Sequence, residues 1–512
     1  MLDLYPYQEN DIKKLYRQKS ASIESEMGSG KTLEAIALEE LWNPLGEKPT
    51  LVIAPINTFD TWRSKYAIQA PGVDLITIDR KNAETRNEFL KKIQKRQGDV
   101  FLMHYEAVPL MPKLQKIEFE VIICDEAHRL SNWRIKRTQA VKRLKTNHKL
   151  AMSGTMTGEY PDRLWSIYEW LWPEYFTSYW SFRKRFCEEE EVWSEKRQTY
   201  YTTVVGTKNI DILNDIRDPW RVRHLKREQC CSNHLNGIMN WLPDKTYDDP
   251  IMVDLSPTQR NFYDQMEASM IAWIGENQNE PLVAQVVIAQ LTRLNQMALA
   301  TPEFYTKLVW TPYYEREHDQ NGKRISEPET PIINPITGLV EKHRVPIQAI
   351  KLKAPSSKIE ACIDFIKDHA SQPLVVFSSS KKVCYLAQEE FAKQHITSEV
   401  LSGDTPQSQR DGMVKRFNNG DFQVFIGVIE AAAEGIDELQ LTCDTMIFLD
   451  RSWRTIKNKQ AEERLDRPGQ KNTTRVIDIQ ARGTRDAGRK QQLELKWENI
   501  RSMLGDPTLG DK

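Results

Sequence analysis

Two short stretches carry residue types suited to handling phosphate. SEMGSGKT, residues 25–32, sets Gly28 and Gly30 just before Lys31 and Thr32, ahead of the helix-forming run LEAIALEEL. Glycines let backbone N–H groups crowd around phosphate oxygens, and a helix that opens near Lys31 aims its positive end at them. Met27, Gly28, Ser29 and Gly30 would form this cradle, Lys31 would reach the β and γ phosphates, and Thr32 would ligate Mg²⁺. Ser25 stands where the strict GxxxxGK[ST] pattern has its first glycine. Further on, the apolar run EVIIC leads into DEAH, residues 125–128. A parallel sheet presents ligands at the carboxyl ends of its strands. Asp125 is therefore placed to hold Mg²⁺, and Glu126 to orient or deprotonate an attacking water.

A third stretch, QAEERLDRPGQ at 460–470, holds Arg464 and Arg467 three residues apart. On a helix this spacing projects two permanently charged guanidinium groups from one face, and such a pair requires an anion. Asp466 lies between them in sequence and is the expected counter-ion, able to hold the arginines away from a bound nucleotide.

These residues need strands and helices to position them. TLVIAP (50–55), DLITI (74–78), VFLMHY (100–105), VIICDE (121–126) and KLAMSG (149–154) are short apolar runs separated by polar, helix-length stretches. The alternation predicts βαβ units and a parallel sheet buried on both faces. A second series follows at PLVVFSS (373–379), SEVLSG (398–403), VFIGVI (424–429), TMIFLD (445–450) and TRVIDIQ (474–480). Between the two series, five tryptophans from Trp165 to Trp193 and the run EEEE at 188–191 read as a packed helical insertion. Residues 256–300 show helical spacing, and 301–350, rich in Pro, Gly and charge, read as an irregular or hairpin insertion.

Composition narrows the classes. The 512 residues are 40% hydrophobic and 28% charged, which suits several globular units rather than a disordered chain. A net charge of -1 supplies no global attraction to nucleic acid, so any such binding must come from local patches. Residues 129–149 hold eight Lys or Arg and no Asp or Glu, with Arg134, Lys136 and Arg137 as the candidate DNA contacts; RVRHLKR at 221–227 is a smaller basic patch. Each reads equally well as a solvated face. The seven cysteines are scattered without a CxxC pair, and Cys230, Cys231 and His234 lack a second ligand pair, so reduced thiols are expected and zinc is not. With no signal pattern in MLDLYPYQEN and no apolar run of the ~18 residues a membrane span needs, a cytoplasmic chain without membrane contact is expected.

In order along the chain stand YPYQ (5–8), EMGSGKT (26–32), VIAPINTFDTW (52–62), CDEAHRLSN (124–132), MSGT (152–155) and QAEERLDRPGQ (460–470). This ordered set resembles helicase superfamily 2, and within it the SWI/SNF-like branch of ATP-driven DNA translocases, over nearly the whole chain. The resemblance implies an α/β fold of two RecA-like parallel-sheet lobes with helical insertions in each. Lobe 1 would span 1–164, its insertion and return 165–243, the start of lobe 2 with its own insertion 244–350, and the rest of lobe 2 351–512. It further implies that Gln8 recognises adenine and Gln460 lines the nucleotide cleft. Ser153 and Thr155 would couple nucleotide to DNA movement, and Arg464 and Arg467 would be arginine fingers contacting the γ phosphate when the lobes close. The expected cofactors are ATP and Mg²⁺, and the expected partner is double-stranded DNA bound without regard to sequence. A protein partner would dock through the 301–350 insertion.

The leading expectation is thus translocation on duplex DNA, in a bacterial or viral setting, or in the nucleus if the source is eukaryotic. A strand-separating or annealing helicase is the alternative among enzymes. A nucleotide-regulated clamp with little turnover is the alternative outside them.

Overall fold

The computed structural model describes residues 4–78, 83–158, 160–194, 199–226, 239, 241–276, 283–312, 342–370, 372–433 and 436–506. Cys230, Cys231 and His234 and the middle of the 301–350 insertion lie outside the described residues.

The first part of the chain supplies β1 (Ser20–Ile23), β2 (Thr50–Ile53), β3 (Leu75–Ile78), β4 (Val100–Met103), β5 (Glu118–Asp125), β6 (Lys145–Met152), β7 (Cys187–Ser194), β8 (Thr199–Thr207) and β9 (Arg221–Val222). One seven-stranded sheet has the order β3-β4-β2-β5-β6-β1-β9, with every neighbouring pair parallel. Alternate side chains feed opposite cores: Leu51, Phe101 and Ile122 on one face, Val52, Leu102 and Ile123 on the other. Burial on both faces explains why these runs are continuously apolar rather than alternating.

The second lobe contributes β10 (Lys245–Tyr247), β11 (Ile251–Val253), β12 (Thr301–Pro312), β13 (Lys342–Lys353), β14 (Leu374–Ser378), β15 (Ser398–Leu401), β16 (Val424–Val428), β17 (Thr445–Phe448) and β18 (Thr474–Ala481). Its sheet runs β10-β18-β17-β14-β16-β15, with β11 also on β18, again parallel throughout. Val376, Ile426 and Ile447 face one core and Val375, Phe425 and Met446 the other. The molecule is therefore the expected pair of parallel-sheet α/β lobes.

The insertions are partly different from expectation. Helices Leu164–Leu171 and Tyr179–Phe186 form, and Trp165, Trp170 and Trp172 are buried, but Trp180 and Trp193 are exposed. EEEE is not helical. It lies on β7, paired antiparallel with β8, because the flanking Val192, Trp193, Tyr200, Tyr201 and Thr202 favour a pleated strand and Arg183 meets Glu189 at 2.6 Å. Residues 256–300 form the expected helices, Pro257–Glu276 and Val283–Leu299, and β12 pairs with β13 as a hairpin of two twelve-residue strands.

The stretch 221–226 is neither a solvated face nor a free cationic patch. Arg221 lies 3.5 Å from buried Glu24 and donates to the Leu504 carbonyl at 2.7 Å, His224 meets Asp11 at 2.8 Å, and Lys226 pairs with Glu463 of the second lobe. Lys226 thereby links the lobes, while Arg221 and His224 tie the first lobe to the last helix and to the first helix. The last helix, Asp486–Leu504, spans the same divide. Asp486 pairs with Lys358 at 2.6 Å in the second lobe, whereas Ile500, Met503 and Leu504 are fully buried in the first lobe's core, and Asp506 just beyond them pairs with Arg223. Among the described residues no helix is long and apolar enough to cross a membrane.

Candidate active site

The chain leaves β1 and turns sharply through residues 24–30 before the helix Lys31–Trp42. Gly28 and Gly30 have φ of +83° and +84°, a left-handed backbone that glycine adopts without strain. Gly30 also lacks room for a side chain, since a Cβ there would lie 2.6 Å from Gln8 Nε2. Gln8, buried on the Pro6–Leu15 helix, donates to the Gly30 carbonyl at 3.3 Å and accepts from the Tyr5 N–H at 2.9 Å. Tyr7 donates to the Ser29 carbonyl at 2.5 Å. The loop is thus held from behind by the first helix. Lys31 folds its ammonium onto the carbonyls of Ser25 (2.9 Å) and Glu26 (2.8 Å). Burial pushes the Lys31 pKa down, opposed by Glu126 and Asp125.

The carboxylates stand across the loop at the end of β5. Asp125 accepts from Trp62 Nε1 and from the Glu126 N–H, both at 2.9 Å, and its carbonyl accepts from the Tyr105 hydroxyl at 2.6 Å. Burial and the adjacent Glu126 raise the Asp125 pKa. For Glu126 burial acts in the same direction, but His128, Lys31 and Lys457 outweigh it and keep the carboxyl ionised. Glu126 has φ of +49°, unusual for a residue with a side chain. Its carboxylate lies 3.1 Å from both His128 Nδ1 and Ser153 Oγ, and Ser153 Oγ also accepts from the Thr155 N–H at 3.2 Å. Ser153 and Thr155 are therefore wired to the carboxylate.

The second lobe completes the cavity. The helix Thr455–Glu462 carries Gln460, which accepts from Lys457 at 2.9 Å, but the helix stops before the arginines. Arg464 and Arg467 thus lie in the following turn rather than on one helical face. Arg464 is buried, donating to the carbonyls of Ile436 and Ala433, each at 2.6 Å, and approaching Asp437 at 3.2 Å. Arg467 pairs directly with the same Asp437. Asp466 is not their counter-ion: the turn directs it the other way, 3.5 Å from Lys245 and 3.8 Å from Lys226. Desolvation works against ionisation of Asp437, but the guanidiniums of Arg467 and Arg464 prevail and hold its carboxyl below the usual aspartate range.

Gly28, Lys31, Thr32, Asp125 and Glu126 from one lobe, and Asp437, Gln460, Arg464 and Arg467 from the other, enclose one cavity of about 320 Å³. Met27 and Gln460 line this cavity and an adjoining one of about 570 Å³ that Thr155 also borders. Gln8 and Ser29 support the loop from outside the cavity lining. The lobes nearly touch here, since a Cβ on Gly28 would lie 3.7 Å from Arg467 Cβ. The donor set suits a magnesium-bound polyphosphate: two adjacent hard-oxygen carboxylates, the Thr32 hydroxyl, and two glycines whose backbones can close on phosphate oxygens. Among the described residues no three His, Cys, Asp or Glu cluster as a metal cage.

A larger cavity of about 660 Å³ opens beside the carboxylates, with Arg129, Arg137 and Arg163 on one wall and Arg454, Lys457 and Lys496 on the other. Of the three candidate DNA residues, Arg137 lines it, while bonded to the Arg129 carbonyl and Glu106. Arg134 and Lys136 are exposed outside it, Arg134 over the Trp133 ring. Sequence reasoning missed Tyr7, Trp62, Asp437 and the connecting role of His128. Trp62 lay within the quoted VIAPINTFDTW, whereas nothing local marks Asp437.

Comparison with known proteins finds a match to the SNF2-related domain over residues 7–301 and to the helicase conserved C-terminal domain over 357–469. The transcription regulatory protein SNF2 of Saccharomyces cerevisiae is 23% identical over 476 residues, 89% of this chain and 25% of the yeast protein. The ATP-dependent helicase brm of Drosophila melanogaster is 24% identical over 471 residues, 89% and 26% of the two. The probable ATP-dependent DNA helicase CHR23 of Arabidopsis thaliana is 24% identical over 470 residues, 90% and 39% of the two. The chain therefore spans much less than two thirds of these relatives. All three are eukaryotic, so the expected bacterial or viral setting gains no support from them. A solved Sulfolobus solfataricus SWI2/SNF2 ATPase core in complex with dsDNA is 19% identical, covering 98% of this chain and 97% of that one, at a TM-score of 0.40, too loose a superposition to bear on the site.

Proposed function

The chain belongs to the SNF2-related family, within the SWI/SNF-like branch of superfamily 2 helicase-like ATPases, and from that premise we propose that it hydrolyses ATP between its lobes and uses the cycle to move along double-stranded DNA. The observation that carries this reading is that phosphate-handling residues of both lobes enclose one cavity. Lys31 would leave the Ser25 and Glu26 carbonyls for the β and γ phosphates, and the Gly28–Gly30 backbone would cradle them. Thr32 and Asp125 would hold Mg²⁺, whose chemistry there is to neutralise charge on the phosphate oxygens. Glu126, kept ionised, would orient the attacking water and draw on its proton. Gln460 would bound the nucleotide, Gln8 would brace the phosphate loop from behind, and Arg467 would meet the charge that builds on the γ oxygens.

Because Glu126 contacts His128 and Ser153, the state of the nucleotide would be felt at Ser153–Thr155 and in the basic groove beside it. That groove, built from both lobes, would follow the DNA backbone without reading bases. Replacing Arg454 and Lys496 together by alanine should weaken duplex binding about tenfold and lower the slope of log K against log salt by roughly one to two, as loss of one or two phosphate contacts requires. ATP turnover without DNA should stay unchanged; an unaltered salt slope would remove the groove from the DNA path.

The β12–β13 hairpin favours a second reading, in which it splits the duplex or receives a protein partner. One experiment separates the readings: ATPase stimulation by duplex, single strand and RNA, with triplex displacement and duplex unwinding measured alongside. Displacement without unwinding supports translocation, unwinding supports strand separation, and no stimulation at saturating DNA supports a clamp.

A further inference from the structure

We infer that Asp437 is a positioning residue that holds the Arg467 guanidinium in the cleft until a γ phosphate displaces it; this rests on the hydrolytic reading above. The two arginines are held differently. Arg464 is buried and fixed by the Ala433 and Ile436 carbonyls, so it cannot leave without stranding them. Arg467 is instead paired with Asp437, whose side chain is 58% exposed to the cleft. One Asp437 oxygen, Oδ1, faces both guanidiniums. Asp437 lines the same cavity as Lys31 and Gly28, so a phosphate entering between the lobes would come up against the Arg467 guanidinium that this oxygen holds.

Exchange is chemically downhill. The single Asp437 carboxylate offers the guanidinium one charge, whereas a polyphosphate offers more charge and a matching fork of oxygens. It also needs little motion: with Arg467 Cβ lying against Gly28, the arm can swing about its root while the turn stays in place. ADP lacks the displacing group, so it would leave Arg467 on Asp437. Asp437 thus makes the site respond to the third phosphate rather than to the nucleoside.

The test uses the full chain with Asp437→Asn, which keeps shape but removes charge, and Asp437→Glu, which keeps charge. Binding of a non-hydrolysable ATP analogue and of ADP is measured beside kcat with and without duplex DNA. Asp437→Asn is expected to raise DNA-independent kcat about fivefold, the order of one exposed ion pair. It should tighten the analogue by a similar factor and leave ADP affinity unaltered. Asp437→Glu should restore parent behaviour, and in an Arg467→Ala background Asp437→Asn should have no effect on analogue binding. Equal change in analogue and ADP affinity, no change in either, or a fall in kcat with and without DNA overturns the inference. A parent chain that hydrolyses no ATP would sink the underlying reading instead, and the analogue-to-ADP ratio would still decide the role of Asp437.

Discussion

Lys31→Ala is expected to lower ATP turnover at least about a thousandfold, the scale on which cationic stabilisation of a transferring phosphoryl group is lost. Lys31 is the cation at the closed end of the cleft, its ammonium already within 3 Å of two loop carbonyls and facing Glu126 and Asp125. Its lowered pKa has a consequence for stability. A base whose folded pKa lies below its unfolded value binds fewer protons when folded, so it costs stability at neutral pH and costs less as pH rises. Removing it relieves that cost but strands the Ser25 and Glu26 carbonyls, so the melting temperature should shift little while activity disappears. Steady-state turnover, nucleotide binding and thermal unfolding on the same preparation make the check. Normal hydrolysis by this variant would end the phosphate-cradle assignment.

Arg467→Ala should separate binding from chemistry. A guanidinium whose contact with the γ phosphate is strongest in the transition state is lost mainly from kcat, so kcat should fall about a thousandfold while ATP affinity weakens only a few-fold. Arg464→Ala makes the contrast, because it strands the Ala433 and Ile436 carbonyls and should cost about 2–4 kcal/mol of stability. Denaturant titration distinguishes the two arginines directly. If Arg467→Ala lost binding and turnover in equal measure, that arginine would be structural as well.

The phosphate loop and the carboxylates were legible because their geometry is local: glycines, lysine and threonine adjoin one helix start, and DEAH follows an apolar strand. Gln460 was expected only from the family resemblance that QAEERLDRPGQ carries. The counter-ion of the arginines could not be read, since Asp437 precedes Arg464 by 27 residues and Arg467 by 30, and only packing unites them. Asp466 was the natural guess from adjacency, and the end of the helix at Glu462 turned it toward Lys226 and Lys245. Both sheets emerged from ten apolar runs, yet β1 escaped notice because SASI is half serine, and β9, β10 and β11 because two or three residues make no run. The glutamate run on β7 misled for a different reason: composition spoke for helix or solvent, while its aromatic neighbours decided for strand.

The helix Asp486–Leu504 ties one lobe's fate to the other's. Its first turn is salt-bridged to Lys358 and its last turn is packed in the opposite core, so melting the first lobe exposes Ile500, Met503 and Leu504, at roughly 1.5–3 kcal/mol for each buried side chain, and pulls on the anchor in the second. Two lobes with separate cores would ordinarily melt in separate steps. Here a calorimeter should record a single endotherm, which splits in two when Ile500 and Leu504 are replaced by serine. Durability and motion are thereby joined, since the strap that limits how far the cleft can gape also makes the molecule fail as one body.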